Sequence, residues 1–111
     1  MKPIDRASGH LDGLLLAVLA SEPAHGYAVI TELRLRSGGE FDMSEGSVYP
    51  ALHRLERAGL LESRWAAGST RRRRIYALTS SGAAALAAER TSWFRFVDAV
   101  QAVLGPRMVS A

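Results

Sequence analysis

The sequence predicts a mainly α protein with a small two-stranded β hairpin. Three observations support this. Apolar residues recur at helical spacing in four stretches, glycine and proline separate those stretches, and only residues 60–78 read as paired strands. The hairpin is also the most basic part of the chain. Arg64, Arg71, Arg72, Arg73 and Arg74 fall between Arg64 and Tyr76 with no acid among them.

The elements follow in order. Residues 1–10 are polar, carry Pro3 and Gly9, and read as a flexible N-terminal arm. Leu11 to Ser21 is dense in leucine and alanine and reads as a buried helix that Pro23 closes. Gly26 opens a second helix, Tyr27 to Arg36, with Tyr27, Ile30 and Leu33 three residues apart. There Gly26 permits a tight turn and Tyr27 is expected in the core. Ser37-Gly38-Gly39 ends that helix, because glycine adopts positive φ at little cost.

The third helix starts near Ser44 or Ser47, both good N-caps. Pro50 constrains it, since proline fits the first turn, where backbone N–H groups have no internal partner. Either Ser47 caps the regular helix or the first turn is irregular. Val48, Leu52 and Leu55 face inward, while His53, Arg54 and Arg57 lie on other faces, and Ala58-Gly59 ends the helix. Leu60 to Trp65 and Arg72 to Leu78 then read as two strands joined by residues 66–71. Side chains alternate along an extended chain, so two of the four consecutive arginines should point to each side.

Thr79 or Ser80 caps a fourth helix that reaches Leu104, where Gly105-Pro106 stops it and leaves residues 105–111 as a tail. Leu86, Trp93, Val97, Val100 and Leu104 form a heptad-like seam, widened by Phe94, Phe96 and Val103. One small domain has too little surface to cover that helix, so it is expected to pair with a second copy of itself.

Composition narrows the function. A chain of 111 residues, 48% hydrophobic and 23% charged, suits one globular domain with a modest core. With no cysteine there are no disulfides, thiolate metal sites or cysteine nucleophiles. His10, His25 and His53 lack ligand-like spacing, and Ser80, Ser81 and Asp98 assemble no triad with them, so no metal, cofactor or enzyme activity is expected. No apolar run approaches the roughly 20 residues needed to cross a bilayer. Lys2 and Arg6 are balanced by Asp5 and Asp12, and Glu22-Pro23 follows the apolar run instead of a cleavage site. The expectation is a soluble cytoplasmic protein with no membrane contact.

The net charge of +3 is modest, but its placement is local. A basic island on a nearly balanced chain points to a polyanion, and a helix followed by a basic hairpin suits double-stranded DNA: helix in a major groove, hairpin along phosphates. Ser47, Tyr49, His53 and Arg54 are the candidate groove-facing residues, with Ser44 and Arg57 beside them. Hydroxyls can meet phosphates or base edges, and arginine can bond guanine with two donors. Arg71, Arg72, Arg73 and Arg74 are the candidate phosphate or minor-groove contacts.

Three pieces in order carry a family resemblance. Gly9-His10-Leu11 leads into Leu14-Leu15-Leu16 and Pro23-Ala24-His25-Gly26-Tyr27. Ser44-Glu45-Gly46-Ser47-Val48-Tyr49-Pro50-Ala51-Leu52 follows, with Arg54-Leu55-Glu56 and Gly59-Leu60-Leu61. Trp65, the arginine run, Tyr76-Ala77-Leu78-Thr79 and Gly82 complete the pattern. Over about residues 9–104 the chain resembles the PadR family of bacterial transcriptional regulators. The resemblance implies a winged helix-turn-helix domain over 11–79 and a C-terminal dimerisation helix over 80–104. It further implies a homodimeric repressor of nearby genes that binds an inverted repeat with half-sites like ATGT and ACAT and is relieved by a small effector.

The single C-terminal helix resembles the compact subfamily that includes multidrug-responsive repressors. In that subfamily a tryptophan at the place of Trp93 holds a flat aromatic effector at the dimer interface. The resemblance therefore carries that role to Trp93, with Phe94, Phe96, Val97 and Leu14 or Leu15 as walls. Ile75 departs from the pattern, since the family often has two aromatics after its basic run. A second long C-terminal helix is absent from the sequence, so ligand sites of larger members do not transfer. Two other classes remain open. One is a constitutive DNA-binding protein without effector; the other is an interaction module whose last helix docks a different protein.

Overall fold

The computed structural model describes residues 10–68 and 72–107. The order is α1 (Leu11–Ser21), β1 (Ala24–His25), α2 (Gly26–Arg36), α3 (Glu45–Arg57), β2 (Leu61–Trp65), β3 (Arg74–Leu78) and α4 (Ser80–Leu104). The fold class is as expected, mainly helical with a small antiparallel sheet, with one correction. The sheet has three strands in the order β1-β3-β2, not two. The added strand is Ala24–His25, which pairs with β3 at Tyr76 and Ile75. A strand of two residues leaves no periodicity for sequence to report.

The core lies where α1, α2 and α3 meet the sheet and the start of α4. Leu15, Val29, Val48, Leu52, Leu61 and Tyr76 are its most enclosed large side chains. Burial pushes the Tyr76 phenol above its ordinary range, and the nearby Glu56 carboxylate raises it further.

Caps and glycines set the helix ends. Ser44 is the N-cap of α3: its Oγ accepts from the Ser47 N–H at 3.2 Å. The helix then runs through Pro50, beyond its first turn. The residue four back is Gly46, whose carbonyl loses its usual donor and faces the proline ring. Gly59 ends α3 at φ +80, and the Leu60 N–H reaches back to the Leu55 carbonyl at 3.0 Å.

Thr79 joins the sheet to α4. Its Oγ1 accepts from the Gly82 N–H at 3.0 Å and donates to the Gly59 carbonyl at 2.7 Å. A Cβ on Gly82 would collide with the Leu60 carbonyl oxygen, so only glycine lets α4 start this close to the α3–β2 turn. Gly13 brings α1 close to α4 less strictly, since a Cβ there would lie 2.9 Å from Glu89 Cγ, part of an exposed side chain that can turn aside.

The far part of α4 runs clear of the core. Phe94, Phe96, Val103 and Leu104 are each more than half exposed, at 59, 57, 86 and 78%. Among the described residues no helix is long and apolar enough to cross a membrane.

Candidate nucleic-acid interface

Three elements shape one open cleft of about 1020 Å³: the start of α2, the exposed side of α3, and the hairpin of β2 and β3. Glu45, Tyr49 and His53 enter it from α3 at steps of four, one flank of a helix. His25 and Tyr27 enter from the start of α2, and Trp65, Arg72, Arg73 and Arg74 from the hairpin.

Tyr49 is half-buried and fixes the local geometry. A Cβ on Gly26 would lie 2.6 Å from its ring, so Gly26 is there for close approach of α2 and α3. That replaces the expected reason for Gly26, a special turn conformation. Tyr27 is corrected too: it is 61% exposed and faces the cleft instead of the core. The three-residue step of Tyr27, Ile30 and Leu33 misled, because the first residue of that row stands at the open end of the helix.

His25 is the N-cap of α2, and its Nδ1 accepts from the Ala28 N–H at 3.3 Å. An accepting Nδ1 puts the proton of a neutral ring on Nε2. The Arg73 guanidinium sits 3.4 Å from that Nε2.

The hairpin follows its register. Leu61, Ser63 and Trp65 stand opposite Leu78, Tyr76 and Arg74, so one face runs from the core out to the rim. Arg72 and Arg74 both lie against Trp65, while Arg73 turns to His25. The expected alternation of the arginines holds for these three. Arg71 lies outside the described residues.

The other α3 candidates divide. Ser47 is exposed, but its Oγ accepts from the Ser44 Oγ–H at 3.1 Å, so both serines form the cap. His53 is exposed, with its ring 6.5 Å from that of Tyr76. Arg57 is exposed and has no acidic partner among the described residues, because Glu56 binds Ser63 and Arg74 instead. Arg54 is revised: its guanidinium pairs with Asp12 of α1 and does not line the cleft. A cross-helix ion pair between residues so far apart in sequence leaves no local signal. Sequence reading also passed over His25, Trp65 and Glu45 as cleft residues. Strand register, counted outward from Tyr76, would have placed Trp65 beside the arginines.

A second, apolar cavity of about 490 Å³ lies between α1 and α4. Leu14 and Ala17 line it from α1, Phe41 from the loop before α3, and Leu86, Trp93 and Phe94 from α4, with His10, Glu89 and Arg90 at its polar positions. Trp93 meets the His10 ring edge-on at a centroid distance of 4.8 Å. Among the expected walls Leu15 is corrected, being 0% exposed in the core. Leu14 and Phe94 line this cavity within one chain, while Phe96 and Val97, expected at the seam between two copies, lie outside it. Phe96 instead packs near Trp93 at 5.9 Å. Leu86 is corrected as a seam residue, since at 5% exposure it is enclosed within its own chain. The α4 helix starts against the core and leaves it only later, so a seam read along its whole length begins too early.

Comparison with known proteins gives one answer. The transcriptional regulator PadR-like family matches residues 15–88. The transcriptional regulator Rv3488 of Mycobacterium tuberculosis is 39% identical over 90 residues, covering 81% of this chain and 79% of that protein. A PadR family regulator from Eggerthella lenta superposes with a TM-score of 0.78 at 32% identity, covering 89% of this chain and 85% of that one. A PadR-like regulator from Bacillus cereus gives a TM-score of 0.80 at 28% identity, covering 94% and 100%. The cleft of α2, α3 and basic hairpin thus sits on a fold shared with regulators of transcription, and this chain belongs to the PadR-like family of DNA-binding transcriptional regulators.

Proposed function

We propose that two copies of this chain join along α4 and repress nearby genes by binding an inverted-repeat operator. The observation that carries this reading is the bare apolar side of α4. Trp93, Phe94, Phe96, Val103 and Leu104 are exposed along a helix that the single chain does not cover. Val97 and Val100 are half-buried between them, and together with Trp93 and Leu104 they form the seam. The domain boundary falls at Thr79, with the DNA-binding head before it and the pairing helix after it.

In this reading each α3 enters a major groove, with Tyr49 and His53 presented to base edges and Ser44, Ser47 and Arg57 near the backbone. Arg72 and Arg73 lie along phosphates. A two-fold dimer presents its two recognition helices about one duplex turn apart, near 34 Å. A planar aromatic effector binds beside Trp93 at the dimer interface, reaching into the α1–α4 cavity. It weakens DNA binding only if it prefers a dimer geometry in which the heads stand at the wrong separation, since equal affinity for both geometries shifts nothing. The protein acts in the cytoplasm, on the chromosome.

Light scattering during gel filtration tests the dimer directly. A mass twice the 12.0 kDa of the chain supports it, and a mass of one chain at micromolar concentration contradicts it. Titration of Trp93 fluorescence with planar aromatic compounds tests the effector. A saturable change supports the cavity as a binding site, and no change with any compound favours a constitutive regulator.

A further inference from the structure

The basic hairpin carries a large aromatic side chain that DNA binding has not yet used. Trp65 ends β2, is 51% exposed, and stands opposite Arg74. The guanidinium carbon of Arg72 lies 4.8 Å from its ring centroid and that of Arg74 lies 5.0 Å away. Both fall within the distance of about 6 Å at which a guanidinium is attracted to an indole face.

The two arginines differ in their other partners. Arg74 donates from Nε to Ser63 Oγ at 2.6 Å, and its guanidinium lies 3.8 Å from the Glu56 carboxylate. Ser63 in turn donates to Glu56. The edge of the Arg74 guanidinium is therefore engaged inside the chain, and its charge is offset by an acid. Arg72 has no acidic partner among the described residues; its contact is the indole. A cation–π contact holds the guanidinium by its charge and gives its N–H donors no oxygen acceptor. A carboxylate occupies those same donors. Trp65 can thus hold Arg72 while Arg72 binds a phosphate, whereas Glu56 and a phosphate compete for Arg74.

We propose that Trp65 is a positioning residue for DNA binding. Its indole holds Arg72 ready for a backbone phosphate, with Arg74 anchoring the indole from the β3 side. Held this way, Arg72 loses less side-chain freedom when DNA arrives, and that saving appears as affinity. This proposal rests on the reading of the hairpin as a DNA contact.

The test is a double-mutant cycle on the full chain, with duplex affinity measured across a range of salt. Trp65→Leu keeps an apolar side chain on the strand but removes the ring, and is expected to weaken binding about two- to fivefold. Trp65→Phe keeps a ring and is expected to restore most of that loss. In an Arg72→Ala background, Trp65→Leu is expected to cost nothing further. Losses that simply add would give Trp65 its own contact with DNA and overturn the proposal. A Trp65→Leu chain that binds like wild type would also overturn it, as would a Trp65→Phe chain that loses binding while keeping its melting temperature. If wild type itself shows no salt-dependent duplex binding, the reading of the hairpin fails and takes the proposal with it.

Discussion

The two ends of the molecule solve opposite problems. The head closes a core of α1, α2, α3 and the sheet within one chain, and its cations are partly paired: Arg54 with Asp12 away from the cleft, Arg74 with Glu56 at its rim. The outer half of α4 leaves phenylalanines, valine and leucine open to solvent. A single chain is therefore a finished head on an unfinished handle. Stability can come from one copy; operator recognition, in the reading proposed, needs two.

The sharpest way to break that contrast is a charge on the handle. Val97→Glu is expected to give monomers, and losing the second head removes the avidity of a linked pair, worth roughly 10²–10⁴ in affinity. A gel shift on an inverted-repeat duplex reads the loss, and circular dichroism should show the helix intact. A variant that still shifts the duplex with wild-type affinity would place the seam elsewhere.

The corresponding break in the head acts on folding. Gly82→Ala pushes a Cβ into the Leu60 carbonyl, where α4 is clamped to the head. Overpacking of this kind costs roughly 1–3 kcal/mol, and a urea melt should show it as a lower midpoint. An unshifted midpoint would mean that the start of α4 moves freely.

Removing the hairpin cations proposed to face DNA gives a third effect, without loss of fold. Arg72→Ala with Arg73→Ala should reduce the salt slope of binding by about one for each lost phosphate contact. An unchanged slope would leave the hairpin idle. Trp93→Ala belongs to the handle and should weaken binding of planar aromatic compounds by about tenfold, as expected for loss of one aromatic partner. Calorimetric titration would measure it, and undiminished binding would move the effector out of the α1–α4 cavity.

Arg54→Ala should do least. An exposed ion pair contributes roughly 0.2–1 kcal/mol, so the melting temperature should drop slightly while base preference stays the same. A changed preference would mean that Arg54 leaves Asp12 when DNA binds.

Much of this was readable from residues. Four helices and the arginine hairpin follow from local rules of capping and periodicity, which narrow two caps to Thr79 or Ser80 and Ser44 or Ser47; the structure takes Thr79 and Ser44. What escaped is long-range. The strand Ala24–His25 exists only because β3 pairs with it. Arg54 chose Asp12 across the fold, and Gly26 is explained by the Tyr49 ring rather than by its own backbone. Leu15 and Leu86 share helices with more exposed neighbours, and only packing tells enclosed positions from open ones. Trp65 shows the limit most clearly, since its role depends on register across a turn that sequence located only to within a few residues.

The most direct measurement is selection of bound duplexes from a random-sequence library by the purified wild-type chain. Joined handles predict enriched sequences with two half-sites in inverted orientation, centred about 10 base pairs apart. Enrichment of a lone half-site, or of no sequence at all, would contradict a regulator that reads DNA as a pair.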